Sequence, residues 1–489
     1  MSPRLAGVLA VDLGTSGARA AVVTFEGAAR GRGEHAYRPL SPPELAPLGR
    51  EYDPRALEAA FEASVARAID AASDVEIRAV AVTGQRIACA FVDGDGDVVY
   101  VGPNADVRAL TGGELGDLDG DDLYHRKGRF PPWISAPARL RWFRDRAEAR
   151  FAEIARVTSL PGYLLARALG AERHATDPTL AADLWMLDLD PLVRAPLESG
   201  LSDEAWPELV AATDPVGTLR ADVARVHGIG EVPLAAGIAD TQAALLASGA
   251  RDALIAGGSA PLVRKLDAPL RDPARRLWLS PAEGGFMLEA NLGEMGTMHA
   301  WLRDLLGVAS FDELDALAES AAPGCRGASA HVGPRPMDLR RLNTGRPAAV
   351  LMPFGQVSGE DAPCRAELAR AYLESCAFAV RAARPWLDAV APSSRLALIG
   401  GMSRSRALAS ILATALGEPI AVGAEDATLR GAAMVAAVTA GAFGSVREAR
   451  AAMSGPPPVQ IEPTEAHAED TDEAFERWVE REAQLEEHG

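Results

Sequence analysis

"LAVDLGTSGARAAVV", residues Leu9 to Val23, sets an aspartate at the end of an apolar run and follows it at once with a turn bounded by two glycines. The flanks decide how the stretch folds. Leu5 to Asp12 reads as a buried strand and Ala18 to Thr24 as a second strand, so the turn between them closes a hairpin. A dinucleotide-binding unit would run from strand into helix through GxGxxG, and an acidic side chain inside that turn would repel the pyrophosphate. Here the glycines are Gly14 and Gly17, with Asp12 in front. A carboxylate beside a phosphate-sized turn makes chemical sense when a divalent cation, usually Mg²⁺, lies between it and the phosphates. An Asx-type turn closing a hairpin uses the same residues, so the turn alone leaves both readings open.

The chain of 489 residues exceeds the roughly 250 to 300 that one core supports, which predicts two domains. Its composition, 48% hydrophobic and 24% charged, is that of a globular protein. A net charge of -19 argues against nucleic acid and anionic membrane as partners, since both need a basic face. Cys89, Cys325, Cys364 and Cys376 form no CxxC pair, and no HExxH occurs, which argues against structural zinc or a disulfide framework. The N-terminal apolar run is too short for a signal peptide and the run from Gly431 to Phe443 too short to span a bilayer, so the expected location is the cytoplasm.

Along the chain, Asp53-Pro54 opens an alanine-rich helix to about Ala72, Ile77 to Thr83 is a strand, and "ACAFVDGDGDVVYVG" reads as a hairpin. Helical periodicity dominates from Ala138 to Gly170. Strand "VPLAAGI" leads into helix "DTQAALLASGA" at Asp240. After about Gly249 the pattern restarts: "ALIAGGSAPLV" is again strand, small-residue turn and strand, which suggests a duplicated domain. The long helix "ELARAYLESCAFAVRAARPWL", strand "RLALIGG", a helix from Arg404 to Leu416 and the helix "LRGAAMVAAVTAGAF" follow. "GPPP" at Gly455 to Pro458 marks a break, after which Phe475, Trp478, Val479 and Leu485 at helical spacing predict a docked terminal helix in an acidic tail. The expected division is 1–248, 249–454 and a tail 455–489.

"LALIGGMSRS" sets Gly400-Gly401 between a buried strand and a helix start, where backbone N–H groups attract phosphate or ribose oxygens, or where the chain merely turns. With it the chain resembles, nearly end to end, the FGGY carbohydrate kinases of the actin, sugar kinase and Hsp70 superfamily. "DLGTSGARA", "GREYDP", "VTGQ", "NADVRA", "GIADTQAA", "ARAYLES", "IGGMSRS" and "LRGAAMVAAVTAG" occur in that family's order. The resemblance implies an α/β fold of two ribonuclease H-like, actin-type domains with a nucleotide and substrate cleft between them. It implies ATP-dependent phosphorylation of a hydroxyl on a small sugar, ketose or polyol, with ATP and Mg²⁺ as cofactors and a homodimer as one possible assembly.

Residue by residue, the same resemblance implies that Asp12 supports Mg²⁺ and that Gly14, Thr15 and Arg19 surround the transferred phosphate. Gly257, Gly258 and Ser259 form the second phosphate loop, and Gly400, Gly401 and Ser403 line the adenosine side. Gln85, Arg86, Asn104, Asp106 and Arg108 face the acceptor, and Asp240 is the general base. Each has a plainer competitor. Asp240 is a good helix N-cap, Arg86 could pair with an acid, and Asp106 and Arg108 could be an i, i+2 loop pair. Three departures bear on substrate and nucleotide. The second loop reads Gly257-Gly258-Ser259 where the family has Gly-Thr-Ser, which removes a hydroxyl; Asn104 stands where the family has Trp; and the segment after "LMPFGQVSGEDAP" is short. The rival readings are a kinase of a linear polyhydroxy carbonyl such as the autoinducer-2 signal, whose kinases share the Asn-x-Asp-x-Arg motif, and an ATPase clamp or regulator without sugar phosphorylation.

Overall fold

The computed structural model describes residues 4–111, 121–338, 347–352, 364–423 and 426–487. The opening stretch forms strands Leu5–Leu13 and Gly17–Thr24, paired antiparallel so that Asp12 lies opposite Arg19. Alternation along the first strand sends Leu9, Val11 and Leu13 into one apolar cluster and Val8 and Ala10 into another. A strand buried on both faces needs a layer on each side. Helix Pro54–Asp70 supplies one, started by the Asp53 side chain accepting from Arg55 N (3.0 Å) and by Pro54 at its first position. It contributes Leu57, Phe61 and Val65. Helix Ala427–Thr439 supplies residues of the other, among them Ala432 and Ala436.

The first sheet has the order Pro215–Thr218, Pro233–Ala235, Val75–Gly84, Leu5–Leu13, Gly17–Thr24, Ala29–Ala36. The second runs Trp278–Ala282, Gly285–Glu294, Ser259–Leu266, Asp252–Ile255, Leu396–Ile399, Ile420–Val422, Val459–Ile461. In each, a first strand pairs antiparallel with its hairpin partner and parallel with a strand from later in the chain. The sequence's two small-residue turns therefore open the same topology twice.

The chain divides into two compact units at Gly249, but not as the sequence predicts further on. Ser280–Gly285 and Ala427–Gly455 group with the first unit, and the second comprises Ala250–Leu279, Phe286–Asp426 and the chain from Pro456. In this grouping helices Ala427–Thr439 and Val446–Met453, within the expected 249–454, pack with the first unit. The physical reason is close packing: Gly431 lies so near helix Asp240–Ser248 that a Cβ there would stand 2.0 Å from Ala243 O. The 138–170 stretch is also interrupted. Helices Ala136–Arg146 and Glu148–Glu153 give way to strand Arg156–Ser159, which pairs with Cys89–Val92. Val157 and Thr158 favour the strand, and Ser159 then caps a new helix by accepting from Gly162 N (3.1 Å).

The terminal helix, Ala468–Glu487, docks through Trp478, which is buried, stacks on His331 and donates to Ser375 Oγ (3.3 Å). Phe475 packs edge-on against Phe378, Leu485 is half-buried, and Val479 faces outward, contrary to the expectation that all four dock. Among the described residues no helix is long and apolar enough to cross a membrane.

Candidate active site

Three parallel strands of the first sheet, Leu5–Leu13, Val75–Gly84 and Pro233–Ala235, bring their carboxyl ends together, the edge where open α/β sheets bind ligands. They deliver Asp12 with its turn, Gln85-Arg86, and Asp240. Asp12 is 3% exposed at its side chain and ion-paired to Arg19, which is 45% exposed. Thr15 and Ser16 at the turn's tip are exposed. Gly14 N–H donates to Gly17 O (3.0 Å), so this amide closes the turn and is not free for phosphate. Two tyrosines that the sequence reading passed over hold the turn from outside: Tyr37 donates to Gly14 O and Tyr52 to Thr15 O (3.1 Å).

Asp240 is the first residue of helix Asp240–Ser248, and the N-cap is Ala239, which makes no side-chain cap. The plainer reading of Asp240 as a cap is thus not what the structure shows. Its Oδ1 accepts from Thr241 N (2.6 Å) and Thr241 Oγ1 (3.1 Å), and Arg86 Nε lies 4.0 Å away. Burial pushes its carboxyl up to about 7; the Arg86 guanidinium opposes this, and the carboxylates of Asp12 and Asp183 reinforce it. A 30% exposed side chain keeps it reachable. The approach to Asp240 is pinned twice: Thr83 Oγ1 donates to Ile238 O (2.6 Å), and Ala239 N donates to Thr179 Oγ1 (2.9 Å). Thr179 in turn donates to Asp177, the N-cap of helix Pro178–Asp183. At that helix's other end Asp183 is bound by Arg129 (2.5 Å), which also donates to Ser280 Oγ (2.7 Å). Asp177-Pro178 repeats the Asp53-Pro54 helix signal, but nothing local ties it to residue 239.

The acceptor-side residues separate into two groups. Gln85 is buried and links three pieces of the site, donating to Tyr52 Oη (2.7 Å) and Gly14 O (3.2 Å) and accepting from Asn104 N (3.4 Å). Arg86 and Asn104 are half-buried. Asp106 and Arg108, expected to face the acceptor, do not: both are 0% exposed. Arg108 Nε donates to Asp106 Oδ2 (2.7 Å), its Nη1 reaches Glu51 (2.9 Å), and its guanidinium lies over the rings of Tyr100, Trp142 and Phe143. Asp106 also accepts from Tyr100 and from Arg50 N (3.1 Å). This is the i, i+2 pair of the plainer reading, its two buried charges satisfied by each other and by Glu51, Tyr100 and Arg50 N.

In the second unit, Gly257 N donates to Ser259 O (3.1 Å), and Gly258 and Ser259 are exposed. Gly296 N donates to Gly257 O (2.8 Å), seating the start of helix Gly296–Leu306 against this turn. Gly400 has φ +93°, and a Cβ there would stand 2.7 Å from Ala256 O, so only glycine fits. Gly401 is exposed with open space around it. A 3₁₀ turn, Gly401–Arg404, intervenes before helix Arg406–Leu416, which Ser405 caps. Ser403, expected on the adenosine side, is buried and donates to Gly400 O (2.8 Å), so its hydroxyl holds the turn. Residues 353–363, most of the stretch "LMPFGQVSGEDAP", lie outside the described residues, and the chain after it enters helix Arg365–Asp388 directly.

These two glycine-turn sheets, with an acid at the end of a strand and another opening a helix, agree with sequence-family models. Residues 7–247 match the N-terminal domain of the FGGY family of carbohydrate kinases and residues 253–440 its C-terminal domain. The chain belongs to the FGGY family of carbohydrate kinases. It is therefore an FGGY-type phosphotransferase. A glycerol kinase of Gloeobacter violaceus is 28% identical over 472 residues, covering 91% of this chain and 90% of that protein. YoaC of Bacillus subtilis, which carries a sugar-kinase name, is 26% identical over 455 residues (88% and 89%). An autoinducer-2 kinase of Escherichia coli K12 is 26% identical over 474 residues (90% and 87%). Among solved structures, a gluconate kinase from Lactobacillus acidophilus superposes with TM-score 0.82 at 18% identity over 99% of this chain and 98% of that one. A Plasmodium falciparum glycerol kinase with ADP gives 0.79 at 16% over 98% of each. These two establish the likeness of fold.

Proposed function

We propose that this carbohydrate kinase transfers the terminal phosphoryl group of ATP to a hydroxyl of a small sugar, ketose or polyol, with Asp240 as general base. The observation that carries the reading is Asp240 itself: a reachable carboxylate that is not the helix's N-cap, with its pKa near neutrality and Arg86 beside it. A base with that pKa combines an available ionised form with useful basicity at neutral pH. Phosphoryl transfer is otherwise a matter of positioning and charge. In this reading Arg19 and the backbone of the exposed Thr15 and Ser16 receive the transferred phosphate, and Arg86 and Asn104 orient the acceptor. Gly257 to Ser259 and Gly400-Gly401 hold the nucleotide.

Mg²⁺ fits the residues present, because it is usually bound through one or two carboxylates together with substrate phosphates. The buried Asp12 carboxylate, close enough to raise the Asp240 pKa, is such a group. Asp12 would hold the ion, which when bound neutralises charge on the phosphates. Four free cysteines, three of them buried, suit the reducing cytoplasm.

Asn104 supports a second reading of the acceptor. An amide offers donors and an acceptor where a ring would offer a flat apolar wall, which favours open-chain substrates. A linear polyhydroxy carbonyl of the autoinducer-2 type is then a candidate beside ketopentoses and polyols, consistent with the Escherichia coli relative. The test is ADP release with ATP and Mg²⁺ across tetritols, pentitols, ketopentoses, the linear signal and closed hexopyranoses. Open-chain acceptors should lead. A strong preference for a hexopyranose would contradict the reading of Asn104, and ATP hydrolysis unresponsive to every acceptor would favour a clamp or regulator.

A further inference from the structure

The turn Gly257-Gly258-Ser259 lacks a side-chain hydroxyl at its centre, yet nothing in the backbone there demands glycine. Gly258 has no left-handed φ, and a Cβ built on it meets one atom within 4 Å among the described residues, Thr297 Oγ1 at 3.5 Å. Its neighbours are different. A Cβ on Gly296 would stand 2.3 Å from Gly257 O, so glycine is required at 296 and lets the two segments touch. That contact is what brings Thr297 over the turn. Thr297 Oγ1 and N both lie 3.5 Å from Gly258 O, at the limit of hydrogen bonding, and the side chain is exposed. The hydroxyl thus stands in van der Waals contact with the place where a residue-258 side chain would start, and remains able to donate elsewhere.

We propose that the Thr297 hydroxyl is a hydrogen-bond donor to the β- or γ-phosphate of ATP, supplying from the neighbouring segment the hydroxyl that Gly258 lacks. The proposal rests on the ATP reading above. A hydroxyl on a residue-258 side chain and the Thr297 hydroxyl would lie beside the same turn, so either one can serve it.

Calorimetric titration of the full chain with ATP, ADP and AMP in Mg²⁺ tests it. Thr297→Val keeps the branched shape and removes the donor. It should weaken ATP by about ten- to a hundredfold, the range for a hydrogen bond to a charged group, while AMP, which has neither phosphate, binds as before. Thr297→Ser should bind like the parent, and Gly258→Ser placed in Thr297→Val should recover affinity. Equal ATP affinity in the parent and Thr297→Val overturns the proposal, as does a parallel loss of AMP, which would mean a distorted turn. If the parent binds none of the three nucleotides, the ATP reading falls and this proposal with it.

Discussion

At the scale of single residues, the carboxylates of the first unit are alike in the sequence and unlike in the structure. Asp12 lies in a strand and pairs with the exposed Arg19, Asp240 opens a helix and is itself part-exposed, and Asp106 is sealed from solvent. Sequence motifs located all three, but could not report that Arg108 folds back onto Asp106 beneath three aromatic rings, since Trp142 and Phe143 lie more than thirty positions away. Asp240 has a definite pH signature. A general base works ionised, so kcat/KM should fall about tenfold per pH unit below about 7 and level off above it. Folding runs the other way. A carboxyl whose folded pKa is raised from 3.8 to about 7 favours the folded state fully below the lower value, and that contribution is lost as pH rises through the upper one. Asp240→Asn removes the loss, so its melting temperature at pH 8 should equal or exceed the parent's; a clear drop would restore the structural role that the Ala239 cap argues against.

At the scale of elements, helices and strands with a local cause were legible and their packing partners were not. Asp53-Pro54 announced its helix, and the Asp12 turn its hairpin, because capping and turn chemistry lie within a few residues. Strand Arg156–Ser159 hid inside a helical period because its partner strand is distant in sequence. The small residues of the helix at 427–439 announce close packing without naming the neighbour, which is helix Asp240–Ser248. Gly431→Ala should therefore destabilise by about 1–3 kcal/mol or more, as overpacking against backbone does, measured by urea denaturation. An unchanged midpoint would mean the two helices are not in contact. Arg108→Ala leaves Asp106 buried and lacking its main partner, a loss of about 3–5 kcal/mol. Acceptor KM of the folded protein should change less than in Arg86→Ala, and the reverse order would return Arg108 to the substrate.

At the scale of the molecule, the duplicated sheet explains why the chain carries two small-residue turns, one with an acid and one without. Asp12 precedes the first, and the corresponding strand of the second unit ends Ile255-Ala256 before Gly257. In the proposed function the repeated topology serves two uses, charge handling in the first unit and nucleotide binding in the second. The most direct measurement follows product rather than ATP. The parent and Asp240→Asn, each with ATP, Mg²⁺ and the leading acceptor of the panel, are compared by phosphorus NMR of the phosphorylated acceptor. The parent should form acceptor phosphate in step with ADP, and Asp240→Asn should bind ATP as tightly while forming it 10² to 10⁴-fold more slowly, the usual contribution of a positioned base, roughly. Acceptor phosphate formed by Asp240→Asn at the parent's rate would contradict Asp240 as the base.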